Sequence, residues 1–420
     1  MSMRHFPLLV LLIAGSLSSA EPGVQHWAYR PLKFVRPPVV SPRTLSRNPI
    51  DRFVLGKLKK EGIVPSAAAD RGTLIRRVTL DLTGLLPTPS QVDAFLGDTS
   101  PDAYRRVVDR LLASPRYGEH WAREWMDLSH YADSDGYLTD QRRPVAWRYR
   151  DWLVQALNED LPFDQFTISQ LAGDLLPETT LKQKLATGFL RQTLSNREGG
   201  ADLEEFRVLQ VVDRTELVGA VWLGMTVGCA RCHNHKYDPI SQREFYQLYA
   251  FFDGADEVNI DAPLPHEQPA YQRAYPTYLR KRQERIAPQE GAIYALMRKW
   301  ELRVLEAWQQ PAEDAHWDRQ WELLGLIWGG GLGEGQLEGV EIVKVPRANR
   351  TTLQNERLQD YFINHGSLVD PEEFSRLELG KHASNLRQAR DDLPPMTRAP
   401  TLKTAQNRRP NYIHLRGEFR

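Results

Sequence analysis

Both cysteines of this 420-residue chain fall in one pentapeptide, Cys229-Ala230-Arg231-Cys232-His233. The pattern C-x-x-C-H is the attachment signature of c-type haem. For two cysteines placed at random, this spacing followed directly by His arises roughly once in ten thousand sequences, so coincidence is a poor explanation. The chemistry accounts for the spacing. Two thiols three positions apart on one helical turn can each form a thioether to a haem vinyl group, and the next imidazole then faces the iron. On this reading Cys229, Cys232 and His233 hold a covalent haem c, and the expected function is redox or electron transfer.

The same stretch supports other chemistry. Cys229, Cys232, His233, His235 and Asp238 are five potential donors within ten residues, and thiolate plus imidazole is a common zinc or copper set. In that alternative His233, His235 and Asp238 hold a bare ion in a metal-dependent hydrolase or a carbohydrate-related binding protein. The second C-x-x-C half of a paired zinc pattern is absent from the sequence, which weakens a structural zinc assignment. A third alternative is a structural protein with a Cys229–Cys232 disulfide, which an oxidising compartment permits. For a distal haem ligand, His235 and Met225 are too near in sequence to reach the opposite face of the ring. His120, His130, Met126 and His266 can reach it, and spacing does not choose among them.

A second acidic cluster comprises Asp127, Asp133 and Asp135 around His130. Asp-x-Asp-Gly resembles part of a calcium loop but lacks the twelve-residue ligand pattern with its terminal Glu. These carboxylates can do acid–base work or hold a cation, although solvated helix-end carboxylates are the plainer reading. Asn196-Arg197-Glu198-Gly199-Gly200 reads as a polar loop, and without a G-x-S-x-G elbow an α/β-hydrolase mechanism has no support.

The elements expected to position these residues are helices. Asn48-Pro49 and Ser114-Pro115 each place a cap before a first-turn Pro, Ser100-Pro101-Asp102 opens another helix, and apolar residues recur at helical spacing after each. Further helical stretches run near Trp147–Leu157, Phe163–Leu176, Leu181–Leu190 and Leu203–Leu223. Ser241 caps a helix carrying Phe245, Tyr246, Leu248, Tyr249, Phe251 and Phe252, a stripe suited to core or to a porphyrin face. Asp261-Ala262-Pro263-Leu264-Pro265 breaks the pattern, after which charged helices span Arg280–Trp308, with Pro288 interrupting and Met297, Trp300, Leu302 and Leu305 on one apolar face. Gly329-Gly330-Gly331 with Gly333 and Gly335 reads as a connector. Gly339–Val345 and Ile413–Phe419 read as strands.

The expected class is mainly α: a multi-helix N-terminal domain bearing the C-x-x-C-H site, a helical linker, and a short, incomplete α+β segment. The domain reading is 1–20 signal peptide, 21–255 helical domain, 256–335 charged helical segment with Gly-rich connector, and 336–420 the truncated start of a second domain. Arg4 and His5, the apolar run Phe6–Ala14 and the small residues Ser18-Ser19-Ala20 carry the signal-peptide reading, hence a periplasmic or secreted location. No later segment is apolar enough to span a bilayer. A hydrophobic content of 41% supplies a sizeable core, and 54 basic residues balance 54 acidic ones, which excludes the basic footprint of a nucleic-acid partner. The electron partner or substrate is not readable.

Several ordered segments carry a resemblance: His26-Trp27-Ala28-Tyr29-Arg30-Pro31, Asn48-Pro49-Ile50-Asp51-Arg52-Phe53, Asp81-Leu82-Thr83-Gly84-Leu85-Leu86-Pro87, Tyr131-Ala132-Asp133-Ser134-Asp135-Gly136, Leu171-Ala172-Gly173-Asp174-Leu175-Leu176-Pro177 and Gly228 through Ile240. Together they resemble the planctomycete cytochrome c (PSCyt) type of exported protein, strongly over about residues 25–255 and more loosely from about 340 to 420. The resemblance implies a large exported protein of undetermined function, with a helical first domain bearing C-x-x-C-H and a PSD-type second domain that this chain would only begin. It also implies that some members carry an upstream cytochrome c module, which is expected to be missing here. Asp is expected where Asn234 stands and His where Glu124 stands, so the surroundings of the site are altered here.

Overall fold

The computed structural model describes residues 30–40, 46, 48–136, 140, 142–194, 203–325, 342–405 and 409–418. The expected signal peptide, the 196–200 loop and the 329–335 connector lie outside the described residues. The chain divides into two compact units, 1–70 and 71–420. In the first, helix α1 (Pro49–Lys60) starts as its sequence predicts. Asn48 accepts the Asp51 N–H and the Asp51 carboxylate accepts the Asn48 N–H, closing a capping box ahead of a first-turn Pro. Arg52 donates to the Pro37 and Pro38 carbonyls, tying the extended 30–40 segment to the helix.

The second unit is mainly helical, with a single two-stranded sheet among the described residues. Helices α2 (Arg71–Thr83), α3 (Pro89–Gly97) and α4 (Ala103–Leu112) enclose a small core of Ile75, Val78, Phe95, Val107 and Leu111. Helices α5 (Pro115–Leu128), α6 (Trp147–Asn158), α7 (Phe163–Ala172), α8 (Leu181–Ala186), α9 (Leu203–Val218) and α10 (Gln242–Asp253) build the principal core around Tyr149, Trp152, Phe166, Phe189, Val211 and Phe245. The α10 aromatic stripe divides by face: Phe245, Tyr246, Tyr249 and Phe252 are buried, whereas Phe251 is 80% exposed.

Strand β1 (Ala255–Asp261) pairs antiparallel with β2 (Arg398–Thr404), Val258 opposite Thr401. Ala399 and Leu402 of β2 thereby enter the principal core. Between the strands run α11 (Glu267–Ile286), α12 (Glu290–Gln309), α13 (Ala315–Gly325), α14 (Thr352–His365), α15 (Pro371–Arg376) and α16 (Leu379–Asp391). Pro288 sits in the short 3₁₀ turn between α11 and α12, as the missing N–H requires. Met297 and Trp300 are buried in a second core and Leu305 packs against it, but Leu302 is exposed.

Both strand expectations of the second half fail, and the actual strands lie elsewhere. Residues 342–344 are helical, with Ile342 and Val343 in the second core. Leu415–Gly417 forms a 3₁₀ turn with Arg416 in the left-handed region. Short apolar runs look alike as strand or helix, and only a partner decides. Asp256-Glu257-Val258-Asn259, a polar run with little strand signal, becomes β1 because Arg398–Thr404 pairs with it.

Candidate functional site

The pentapeptide is delivered by α9 and received by α10. After Val218 the helix widens into one π turn, Gly219–Leu223, and ends at Gly224, whose left-handed φ of 62° suits glycine. A 3₁₀ turn, Val227–Arg231, then presents Cys229 at the surface while Val227 and Ala230 anchor the turn in the core. On the far side Ser241 caps α10 through a box with Glu244. Asn234 Oδ1 accepts the Gln242 N–H at 2.9 Å, so the residue following His233 is itself fixed on the α10 N-terminus.

Cys229 and Cys232 are free thiols and both are exposed. His233 is exposed as well, and its Nδ1 lies 2.7 Å from the Asn234 carbonyl. A carbonyl only accepts, so that nitrogen carries a proton, and in the neutral ring Nε2 then keeps its lone pair. The three residues expected to hold haem therefore stand together as two unbonded thiols and one imidazole in the tautomer an axial ligand needs. The donor set fits the group.

His235 and Asp238 behave differently. The His235 side chain is only 4% exposed. Its Nδ1 accepts the backbone N–H groups of Asp238 at 2.8 Å and Tyr237 at 3.2 Å, and Asp238 Oδ2 lies 3.4 Å away. The ring is thus spent on closing its own turn, which the Ile240 carbonyl completes by accepting the His235 N–H. Among the described residues no group of three or more His, Cys, Asp and Glu side chains is gathered to hold an ion.

Further contributions come from positions that spacing does not flag. A Cβ on Gly228 would lie 2.6 Å from Glu216 Oε1, so the motif rests directly on this carboxyl. Burial pushes Glu216 above the ordinary carboxylate range, with Asp213 adding to the effect and Arg231 opposing it. The segment 412–418 crosses the motif from the other end of the chain. Gly417, at φ 78°, passes so close that a Cβ there would meet Cys232 Sγ at 2.6 Å. Arg231 donates twice to the Gly417 carbonyl, at 2.8 and 3.2 Å. Gln242 donates to the carbonyls of Arg231 and His414, and the His414 ring lies against Tyr246 and Tyr249. Burial and the Arg231 charge hold His414 below the usual imidazole value. Ile413 and Leu415 on this strap are exposed apolar residues.

The other candidates scatter. Asp127 is exposed, Asp133 accepts from the Tyr131 hydroxyl at 2.6 Å, and Asp135 is buried against Arg143 at 2.9 Å. The first two match solvated helix-end carboxylates, and Asp135 does not. His130 faces Asp213 at 3.5 Å, Met126 packs against the principal core, His120 lies edge-on to Trp121, and His266 precedes α11. Glu124 pairs with Arg123 on the exposed face of α5.

Residues 49–257 match the family model PSCyt2, described as a protein of unknown function (DUF1549). Over this span the chain belongs to the PSCyt2 family. The match takes in α1 and the whole of the 71–257 helical assembly with the pentapeptide, and it ends within β1. The strap at 412–418, which touches Cys232, lies outside the PSCyt2 match. No curated protein and no solved structure matches the chain significantly. Among the described residues no helix is long and apolar enough to cross a membrane.

Proposed function

We propose that the chain is an exported c-type haem protein acting in electron transfer, with Cys229 and Cys232 as thioether anchors and His233 Nε2 as an axial ligand. The supporting observation is the His233 Nδ1–Asn234 carbonyl contact beside two free, exposed thiols. That contact fixes the tautomer, and Asn234 is in turn held by α10, so the imidazole is oriented by a helix rather than by a loop alone. The group, when bound, supplies one-electron chemistry. The protein's part is to anchor it, orient the imidazole and set its exposure. Exposed Ile413 and Leu415 provide apolar surface on the strap whose Gly417 passes Cys232, and the Arg231 charge acts on Glu216 and His414. The export reading rests on residues 4–20 and places the site where haem attachment occurs.

The test is expression of the full chain with a cytochrome c maturation system, followed by peroxidase staining of a denaturing gel and intact mass. A stained band that disappears in the Cys229→Ser, Cys232→Ser double variant is expected. The His233→Ala variant should keep any covalent haem but show an altered absorbance spectrum. A mature chain of unmodified mass overturns the proposal.

A further inference from the structure

The first unit leaves its apolar residues in water. Helix α1 buries none of its twelve residues. One side of it is covered: Arg52 donates to the Pro37 and Pro38 carbonyls, and a Cβ on Gly56 would lie 2.9 Å from Pro38 Cγ. Ile50, Phe53, Val54 and Lys57 recur at helical spacing on the opposite side, and all four are exposed. The extended segment ahead of the helix is more open still. Leu32 is fully exposed, Phe34 is 89% exposed, and Val35 and Val39 also stand in solvent. Single exposed apolar residues are ordinary, but a run of them flanked by charge marks an interaction surface.

The charges beside these residues are mostly of one sign. Arg30, Lys33 and Arg36 are interspersed with Leu32, Phe34 and Val35, and Lys57, Lys59 and Lys60 end α1. The described residues of 30–70 hold seven basic side chains against three acidic ones, in a chain whose totals balance at 54 each. Of those three, Asp51 is committed to the Asn48 cap and Glu61 to Lys57 at 2.8 Å. A nucleic acid would use the cations and leave the apolar side chains in water. A purely apolar partner would strip water from the cations and give nothing back. A bilayer with acidic headgroups answers both: it carries negative charge at its face and hydrocarbon just beneath, and it needs no matching shape. Lysine and arginine keep their charged ends at such an interface while their stems lie along the apolar layer.

We propose that the first unit docks the protein on an anionic lipid bilayer through the 30–36 segment and the open face of α1, apolar side chains entering the acyl boundary and the lysines and arginines meeting the headgroups. The surface is independent of the haem reading. The experiment is co-sedimentation of the full chain, recovered after export, with vesicles of phosphatidylglycerol and phosphatidylcholine in equal parts, beside vesicles of phosphatidylcholine alone. Retention on the acidic vesicles, weakening as salt is raised, is expected. The Leu32→Ser, Phe34→Ser pair and the Lys33→Glu, Arg36→Glu pair should each weaken binding about tenfold, and the Ile50→Ser, Phe53→Ser pair should weaken it severalfold. All six positions are exposed, so the variants should fold as the parent does. Equal retention on both vesicle types, binding insensitive to any of the three pairs, or no retention on the acidic vesicles overturns the proposal. The last is also the result expected if an acidic protein occupies the surface.

Discussion

Two charged regions of this molecule are built on opposite principles. The pentapeptide is local: five consecutive residues on a surface turn, whose chemistry is carried by exposed groups with few partners. The second region is assembled from distant parts of the chain and is almost sealed. Arg191 and Arg214 both engage Glu257 of β1, Arg214 also donates to the Leu190 carbonyl, and Arg191 donates to the carbonyls of Val258 and Thr401. Burial alone would push the Glu257 carboxyl up, but Arg191, Arg214 and Arg143 outweigh it and hold the group below its ordinary range. The buried cluster therefore stitches both strands to the helices, while the surface motif leaves its reactive atoms unspent. Substitution should disturb the fold in the buried cluster and the chemistry in the pentapeptide.

The largest effect expected from that contrast is at Glu257. Its replacement by Leu leaves two guanidiniums buried without their carboxylate, a change that costs roughly 3–5 kcal/mol. Cys229→Ser on the exposed turn should stay within about 0.5 kcal/mol, as surface substitutions do. Urea unfolding of the two variants beside the parent makes the comparison. Equal midpoints would break the distinction between a sealed and an open region.

The strap at 412–418 is where a distant segment meets the surface motif, and it gives the next two effects. Gly417→Ala forces a side chain into the left-handed region, at about 1–2 kcal/mol, and against Cys232 Sγ. The strap should lift, so in the haem-free chain alkylation of Cys232 should accelerate relative to Cys229; an unchanged ratio would show that the contact has no hold on the thiol. His414 gives the strap a pH dependence. Its pKa is lower in the folded chain than the ordinary value near 6.5, so the unfolded form binds more protons over the interval between them. The contribution is complete above about pH 6.5 and is lost as pH falls through the folded value. Amide exchange of residues 412–418, corrected for intrinsic rates, should quicken on acidification, and His414→Phe should remove the step.

This division also explains what could be read from the sequence. The helices announced themselves through caps: Asn48-Pro49, Ser114-Pro115 and Ser241 with Glu244 each start a helix where the side chain can take a backbone N–H. The pentapeptide was legible because haem attachment demands a fixed local spacing. His414, 181 residues beyond His233, obeys no such rule, since its approach depends on the strap crossing α10. The sheet was hidden for the same reason. Asp256 and Glu257 are poor strand formers, and they are buried in β1 because Arg409 and Arg214 meet them there. Asp135 reads as a solvated helix-end carboxylate because its partner, Arg143, stands eight positions further on, beyond any local pattern.

The smallest predicted effect tests whether the residue after the motif serves α10 as well as His233. Asn234 Oδ1 accepts from the first turn of α10, and an aspartate there would place a full negative charge at the positive end of the helix dipole. That exchange is worth about 0.3–1 kcal/mol at an exposed helix N-terminus. Glu244 already occupies the same end, where its carboxylate accepts from Ser241 and is held below its ordinary range by those bonds, so repulsion should keep Asn234→Asp near the lower bound. A slightly raised urea midpoint at neutral pH, vanishing as the new carboxylate protonates near pH 4, is the expected signature. The His233–carbonyl contact uses only the backbone of residue 234, so any haem spectrum should be unchanged. A spectral shift would show instead that the side chain at 234 acts on the imidazole, coupling the open region to the helix more tightly than its hydrogen bonds indicate.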